Sequence, residues 1–428
     1  MDERTIMLVL AEQREEIEKY KNVRLVPRKE EELFEWDSDM AQVVTGVRRS
    51  GKSTLCHLAL QHRGVRYAYV NLDDDRLLDI RTEDLNTVLN CIYQIYGTEI
   101  EYLFFDEIQD VRGWHLFVNR LLRQGLHIII TGSNAKLLSG ELATHLTGRY
   151  NEIKLYPLSF SEYCVAKGID TKSITTKSDA ARKIALREYL QDGGFPEFTL
   201  MKNVRLRKTY VEGLIETIIS KDIVKRFKLR NAESLRRIAH HLINNSCQII
   251  DYDSLAGIAS LKSSATAQKY TSYLSQAYLI HRVQKFSYKS KVRITGEKCY
   301  VADPGFIANR ENSLLGEDSG WHLENAVFIE LLRRNSSQAN DIYYYKPSTR
   351  QKEVDFVVCS QNIVRELIQV AYSVSEVKTF RRETEALVLA AEKLGCKTLK
   401  LICMDETGSV TVKGVNIQIV NAIDWLLQ

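Results

Sequence analysis

Gly46-Val-Arg-Arg-Ser-Gly51-Lys52-Ser53 satisfies the pattern G-x-x-x-x-G-K-[ST] at every required position. A loop of this composition curls backbone N–H groups around a phosphate. The helix that follows turns its N-terminus toward the same negative charge. Gly46, Val47, Arg48, Arg49, Ser50, Gly51, Lys52, Ser53 and Thr54 are therefore the expected nucleotide contacts. Lys52 is placed to reach the β- and γ-phosphates of ATP, and Ser53 to hold Mg²⁺. Arg48 and Arg49 face either the nucleotide or a partner.

A phosphate cradle alone does not split a phosphoanhydride. Tyr102-Leu-Phe-Phe-Asp106-Glu107 adds two carboxylates at the end of an apolar run. Asp106 is expected to bind Mg²⁺ through water, and Glu107 to orient and deprotonate the attacking water. An Asp-Glu pair after a strand also serves as a helix N-cap with a first-turn acid. The upstream Lys52 favours the catalytic reading. The next apolar run, 126–131, ends in Gly132-Ser133-Asn134. A polar side chain there senses the γ-phosphate, with Asn134 the first candidate and Ser133 the second; the alternative is a simple turn.

These residues need elements to hold them. Residues 41–45 (AQVVT) read as a short apolar strand entering the loop, and 53–61 as the helix leaving it. Residues 65–72 form an intervening strand, and the Asp73-Asp74-Asp75 run after it reads as a solvated strand end rather than a metal site. The segments GVRRSGKST, FFDEIQD, TGSNAKLLSGELATHLTGRY and LYPLSFSEY together resemble a family of prokaryotic AAA+-type ATPases whose ATPase carries a C-terminal domain of uncharacterised function. The resemblance covers nearly the whole chain. It implies an α/β P-loop NTPase core with a doubly wound parallel sheet, and a homo-oligomer. Arg149, in Leu146-Thr-Gly-Arg149, matches the family's arginine after the sensor strand. Such an arginine completes a neighbouring subunit's site by stabilising transition-state charge; the alternative is a structural arginine of its own subunit.

The chain has 428 residues, enough for two to four domains at roughly 100–200 residues each. A hydrophobic share of 44% and a charged share of 27% exclude a disordered or fibrous chain. The net charge of +4 conceals an asymmetry. Residues 1–200 carry 26 basic and 31 acidic side chains, 201–300 carry 19 and 7, and 301–428 carry 14 and 17. The central block is therefore at +12, which points to a polyanion partner or to a solvated basic face. The apolar run 6–11 is too short for a signal core, and no run approaches the roughly 20 apolar residues of a membrane span. Eight cysteines without a CxxC pair, and histidines without ligand spacing, read as reduced thiols of a cytoplasmic protein with no zinc site.

Within the basic block, Gly193-Gly194-Phe-Pro196 ends a helix and belongs to a helical lid. Residues 254–259 and 263–279 read as two helices, followed by strands at 280–286 and 298–301. Helix, turn, helix and hairpin describe a winged helix-turn-helix, with Lys262, Lys269, Lys285, Lys289, Lys291 and Arg293 placed for DNA phosphates. DNA is favoured over RNA, although such modules also dock proteins. Farther on, a helix at 321–333 carries Glu324, a strand at 353–359 carries Asp355, and the next strand carries Gln369. This order resembles the PD-(D/E)xK nuclease fold, whose chemistry needs two acids for Mg²⁺ and a lysine. Gln369-Val370-Ala371 stands where Glu-x-Lys belongs, so the site is read as degenerate and cutting is not expected.

The expected domains are an ATPase core at 1–156, a helical lid or linker at 157–230, a winged helix at 231–302 and a nuclease-like α/β domain at 303–428. The expected function is ATP hydrolysis, dependent on Mg²⁺, that remodels DNA or drives translocation on it. The alternatives are a nucleotide-dependent switch that binds protein partners, or an ATP-dependent nuclease.

Overall fold

Strands buried on both faces must be apolar almost throughout, and three runs near the N-terminus are. β1 (Ala41–Thr45) and β3 (Tyr102–Asp106) are buried at every position, and β4 (His127–Gly132) at all but the first. In a computed structural model these join β2 (Tyr67–Asn71) and β5 (Tyr150–Lys154) in a parallel sheet of order β2-β3-β4-β1-β5. The structure describes residues 1–20, 25–133, 146, 148–201, 203, 205–288, 296–308, 319–336, 340–347 and 352–428. The chain divides into two compact units, Met1–Leu155 with Gln276–Tyr278, and Tyr156–Ser275 with Leu279–Gln428.

Side-chain alternation in the first sheet feeds two cores. Leu103 and Phe105 of β3 face helices α1 (Glu3–Tyr20), α3 (Leu85–Tyr96) and α4 (Trp114–Arg123). Tyr102 and Phe104 face α2 (Lys52–Arg63), which contributes Leu55, Cys56, Ala59 and Leu60. The strand order matters for chemistry. β4 lies between β1 and β3, so the phosphate loop after β1 and the acids after β3 flank the end of β4 in one crevice.

The second unit opens with α5 (Phe160–Lys167), started by a capping box of Ser159 and Glu162, and α6 (Thr176–Asp192), capped by Thr175. α7 (Pro196–Leu200) and α8 (Arg205–Thr217) follow, and α8 runs on as a π-helix over Ile218–Lys225. Three helices come next, α9 (Ala232–Asn244), α10 (Tyr252–Ile258) and α11 (Ser264–Gln276), then an antiparallel hairpin of β6 (Ile280–Gln284) and β7 (Glu297–Val301). After α12 (Pro304–Ala308) and α13 (Ser319–Ser336) come β8 (Asp341–Tyr345), β9 (Val354–Ser360), β10 (Ile363–Ala371), α14 (Val377–Leu394), β11 (Leu399–Cys403), β12 (Gly408–Val412), β13 (Val415–Asn421) and α15 (Ala422–Leu426). These strands form a mixed sheet of order β12-β13-β11-β10-β9-β8. α13 packs with Phe356, Ile368 and Ile402, and α14 with Val357, Leu367 and Leu401, so the helices cover opposite faces. The hairpin is tied to this sheet, since Phe286 N–H donates to the Tyr344 carbonyl at 2.7 Å. All eight cysteines are buried and none forms a disulfide, and among the described residues no helix is long and apolar enough to cross a membrane.

Two turns of the second unit interlock around one buried acid. Asp303 accepts from the N–H of Gly194 at 2.7 Å and of Gly305 at 2.9 Å. Gly193 sits at φ +83°, and a Cβ there would collide with the Asp303 carboxylate. Burial pushes the Asp303 pKa up to about 7, although both N–H bonds and Arg333 pull it down. The folded chain then keeps a proton that the unfolded chain, with an aspartate near 3.9, has already lost. Stability from this group is full below about pH 4 and declines as pH rises through about 7. Asp303→Ala should orphan two buried N–H groups at about 1–3 kcal/mol each and flatten that decline. Urea unfolding of both proteins at about pH 5 and about pH 8 measures it; parallel pH dependences would refute the assignment.

Candidate nucleotide-binding site

The loop after β1 has room for only one residue type at its first position. Gly46 lies at φ +152°, and the Leu155 carbonyl oxygen occupies the place a Cβ would take. Arg49 at φ 66° and Gly51 at φ 98° then turn the chain through the left-handed region, the backbone habit of an anion-binding concavity. Arg28, buried, donates to the Ser50 carbonyl at 3.1 Å and braces the loop from outside. Ser50 Oγ is buried without a hydrogen-bond partner among the described residues, so the loop holds a polar atom that a ligand would satisfy. Lys52, the first residue of α2, is 5% exposed. Its Nζ donates to the carbonyls of Gly46 and Val47 at 3.2 and 3.3 Å and lies 3.9 Å from Glu107 Oε1.

Asp106 ends β3 as a buried carboxylate surrounded by hydroxyls. Tyr69 of β2 donates to Oδ2 at 3.0 Å, and Thr131 of β4 donates to Oδ1. The Ser53 side chain of α2 also hydrogen-bonds Asp106. Burial raises the Asp106 pKa and the neighbouring Glu107 raises it further, while the three hydroxyls pull it back. Glu107 takes a left-handed conformation, φ 55° and ψ 37°, which turns its side chain out of the strand direction. Its N–H donates to Thr131 Oγ1 at 3.2 Å, and its Oε2 accepts from Ser133 at 3.4 Å and from Gln109. Thr131 therefore fixes both acids at once. His57 packs edge-on to Tyr69 and Phe104 at 4.6 and 5.1 Å, and burial lowers its pKa to about 4, so the ring is neutral.

The structure gathers Gly46, Ser50, Lys52, Ser53, Asp106, Glu107 and Ser133 in this crevice. Arg48 pairs with Asp73 at 3.5 Å. Arg149 is exposed just before β5, its carbonyl accepting from Ala41 N–H at 3.0 Å. Asn134 lies outside the described residues, as do Lys289, Lys291 and Arg293. Sequence reading does not find Tyr69, whose β-strand alternation gives no polar cue, nor Arg28. Thr131 had a weak cue, as the last residue of the apolar run before Gly132 and Ser133.

A second cluster of named residues forms in the other unit. Glu324 of α13, Asp355 of β9 and Gln369 of β10 line one cavity of about 620 Å³. The residue that sequence reading missed here is Lys298 of β7, 3% exposed in its side chain. Its Nζ is 2.7 Å from Glu324 Oε1, 2.7 Å from Glu353 Oε1 and 3.6 Å from Asp355 Oδ1. Burial opposes the Lys298 charge, but Glu324, Tyr300, Asp355 and Glu353 outweigh it and its pKa is raised.

Residues 38–164 match an AAA domain, 183–316 a domain of unknown function (DUF8612) and 319–420 another (DUF4143). An uncharacterized protein of Methanocaldococcus jannaschii is 34% identical over 375 residues, 86% of this chain and 82% of that one. One of Haemophilus influenzae is 31% identical over 406 residues, 92% and 95% of the two chains. The chain belongs to this family of AAA-domain proteins. Among solved structures, the Walker-type ATPase of Pyrococcus abyssi is 17% identical with a TM-score of 0.45, covering 67% of this chain and 95% of that one. The AAA domain makes the first unit a P-loop AAA-type ATPase.

Thr131→Val tests how this domain holds its acids. Losing a hydroxyl from a charged partner removes about 1.5–3 kcal/mol, so kcat/KM for ATP should fall roughly 10- to 100-fold. Losing a donor to the ionised form should also move the acid limb of the pH profile upward. An unchanged limb would separate Thr131 from Asp106.

Proposed function

We propose that the chain hydrolyses ATP with Mg²⁺ and couples turnover to work on DNA. The observation that carries the hydrolytic half is the convergence of Lys52, Ser53, Asp106 and Glu107 on one crevice, with Thr131 locking both acids. Lys52 neutralises phosphate charge, and Ser53 with Asp106 would hold the ion, an oxygen-only donor set of the kind Mg²⁺ takes. Bound Mg²⁺ supplies Lewis-acid neutralisation of the β- and γ-phosphate oxygens. Glu107 accepts a proton from water as that water's oxygen attacks the γ-phosphorus and the bond to the ADP oxygen breaks. Ser133 and Gln109 steady the Glu107 carboxylate, and Asn134 reads the γ-phosphate. The exposed Arg149 is offered to a neighbouring subunit in a homo-oligomer.

For the DNA half, α10, α11 and the β6–β7 hairpin have the order of a winged helix-turn-helix. Lys262 and Lys269 are exposed and Lys285 is half-buried, within the stretch of 19 basic and 7 acidic residues. Contacts of this type address phosphates rather than sequence. The six-stranded unit is read as a nuclease-like fold that binds and does not cut. A second reading, a nucleotide-dependent switch that binds protein partners, draws on Ile249, Ile258 and Tyr288, which are exposed beside the same helices and hairpin.

Lys52→Ala should abolish ATP turnover; retained turnover would refute the site. ATPase rates with single-stranded, duplex and branched DNA should rise several-fold over the rate without DNA, and should lose that rise as salt increases. No rise and no binding at low salt would leave the protein-partner switch. Plasmid nicking with Mg²⁺ or Mn²⁺ is expected to be absent. Nicking that Asp355→Ala removes would establish the nuclease reading instead.

A further inference from the structure

The cavity of the second unit presents the two acids that a PD-(D/E)xK-like order would use for a divalent ion. With Lys298 among them, its donor set does not fit one. Among the described residues no three His, Cys, Asp or Glu side chains are arranged to hold a metal. Gln369, in the place of a third acid, is engaged at both ends of its amide. Nε2 donates to Glu383 Oε2 at 2.7 Å, and Oε1 accepts from Asp355 N–H at 3.3 Å. Asp355 Oδ2 is taken by the Val370 N–H at 2.9 Å. Glu324 Oε1 accepts from both Lys298 and Tyr300 at 2.7 Å.

We infer that the Lys298 ammonium is the resident cation of this pocket, standing among Glu324, Glu353 and Asp355 where a divalent ion would otherwise be held. The charge that a nuclease would draw from an ion comes here from the β7 strand of the hairpin. A lysine cannot leave with a chelator, so the pocket is permanently metal-free. The same side chain is also a fastener. It joins three segments, β7, α13 and the chain entering β9, and it acts beside the Phe286–Tyr344 hydrogen bond. The hairpin and the six-stranded sheet therefore present themselves to a partner as one body.

Counting bound Mn²⁺ per chain by electron paramagnetic resonance tests it, because any ion at the phosphate-loop site appears equally in every variant. The wild type and Glu324→Gln should bind the same number. Lys298→Met, which frees the carboxylates, should bind one more, and Asp355→Asn added to it should remove the extra ion. A lower count for Glu324→Gln than for the wild type would overturn the inference, as would the absence of an extra ion in Lys298→Met. If Lys298→Met does not fold, the comparison of wild type with Glu324→Gln decides alone. As a readout of the fastening, amide exchange in β6 and β7 should quicken roughly tenfold or more in Lys298→Met and return to wild-type rates in Lys298→Arg. Unchanged exchange would refute that part.

Discussion

A carboxylate buried at the end of β3 is the constraint on which the first unit is organised. An ionised Asp106 without partners would be too costly in that interior. The surrounding elements each bring a hydroxyl to it, Tyr69 from β2, Thr131 from β4 and Ser53 from α2. Because those elements come from separate parts of the chain, the acid can be satisfied only when the sheet has its observed order. The left-handed Glu107 depends on the same arrangement, because its N–H is received by the hydroxyl of Thr131 that holds Asp106.

Much of this site is legible in the chain, and the reason is local. The phosphate loop is contiguous, so glycine spacing, Lys52 and Ser53 announce it without tertiary information. Asp106 and Glu107 follow from an apolar run that ends in two acids. Residues that act across the fold leave little trace. Tyr69 is a strand tyrosine like Tyr67, and only the pairing of β2 with β3 brings its hydroxyl to the acid. Arg28 is one basic residue among several near the N-terminus, and nothing local aims it at Ser50. The elements themselves are read better than their contacts, since periodicity and turn residues fix helices and strands but not which neighbours they meet.

The second unit shows the same limit more sharply. Reading the strand after Asp355 for a lysine finds Ala371 and concludes that the charge is gone. The fold delivers one from Lys298, more than seventy positions upstream, because β7 lies beside α13 and β9. Lys298 had a weak signal, a lysine next to Glu297 at the head of an apolar stretch, but that signal names no partner. Asp303 is similar. Its turn is evident from Pro304 and Gly305, whereas its hold on Gly194 is not. Both are buried titratable groups used as connectors between distant segments, which favours one arrangement of chain over its competitors.

The close approach of Leu155 to Gly46 has a mechanical consequence. Leu155 is the last residue of the first unit's main segment, and its carbonyl presses on the first glycine of the phosphate loop while its N–H is tied to Thr45 at 2.7 Å. A side chain at position 46 would have to move the Leu155 peptide, and with it the end of the β1–β5 pairing, before the loop could close.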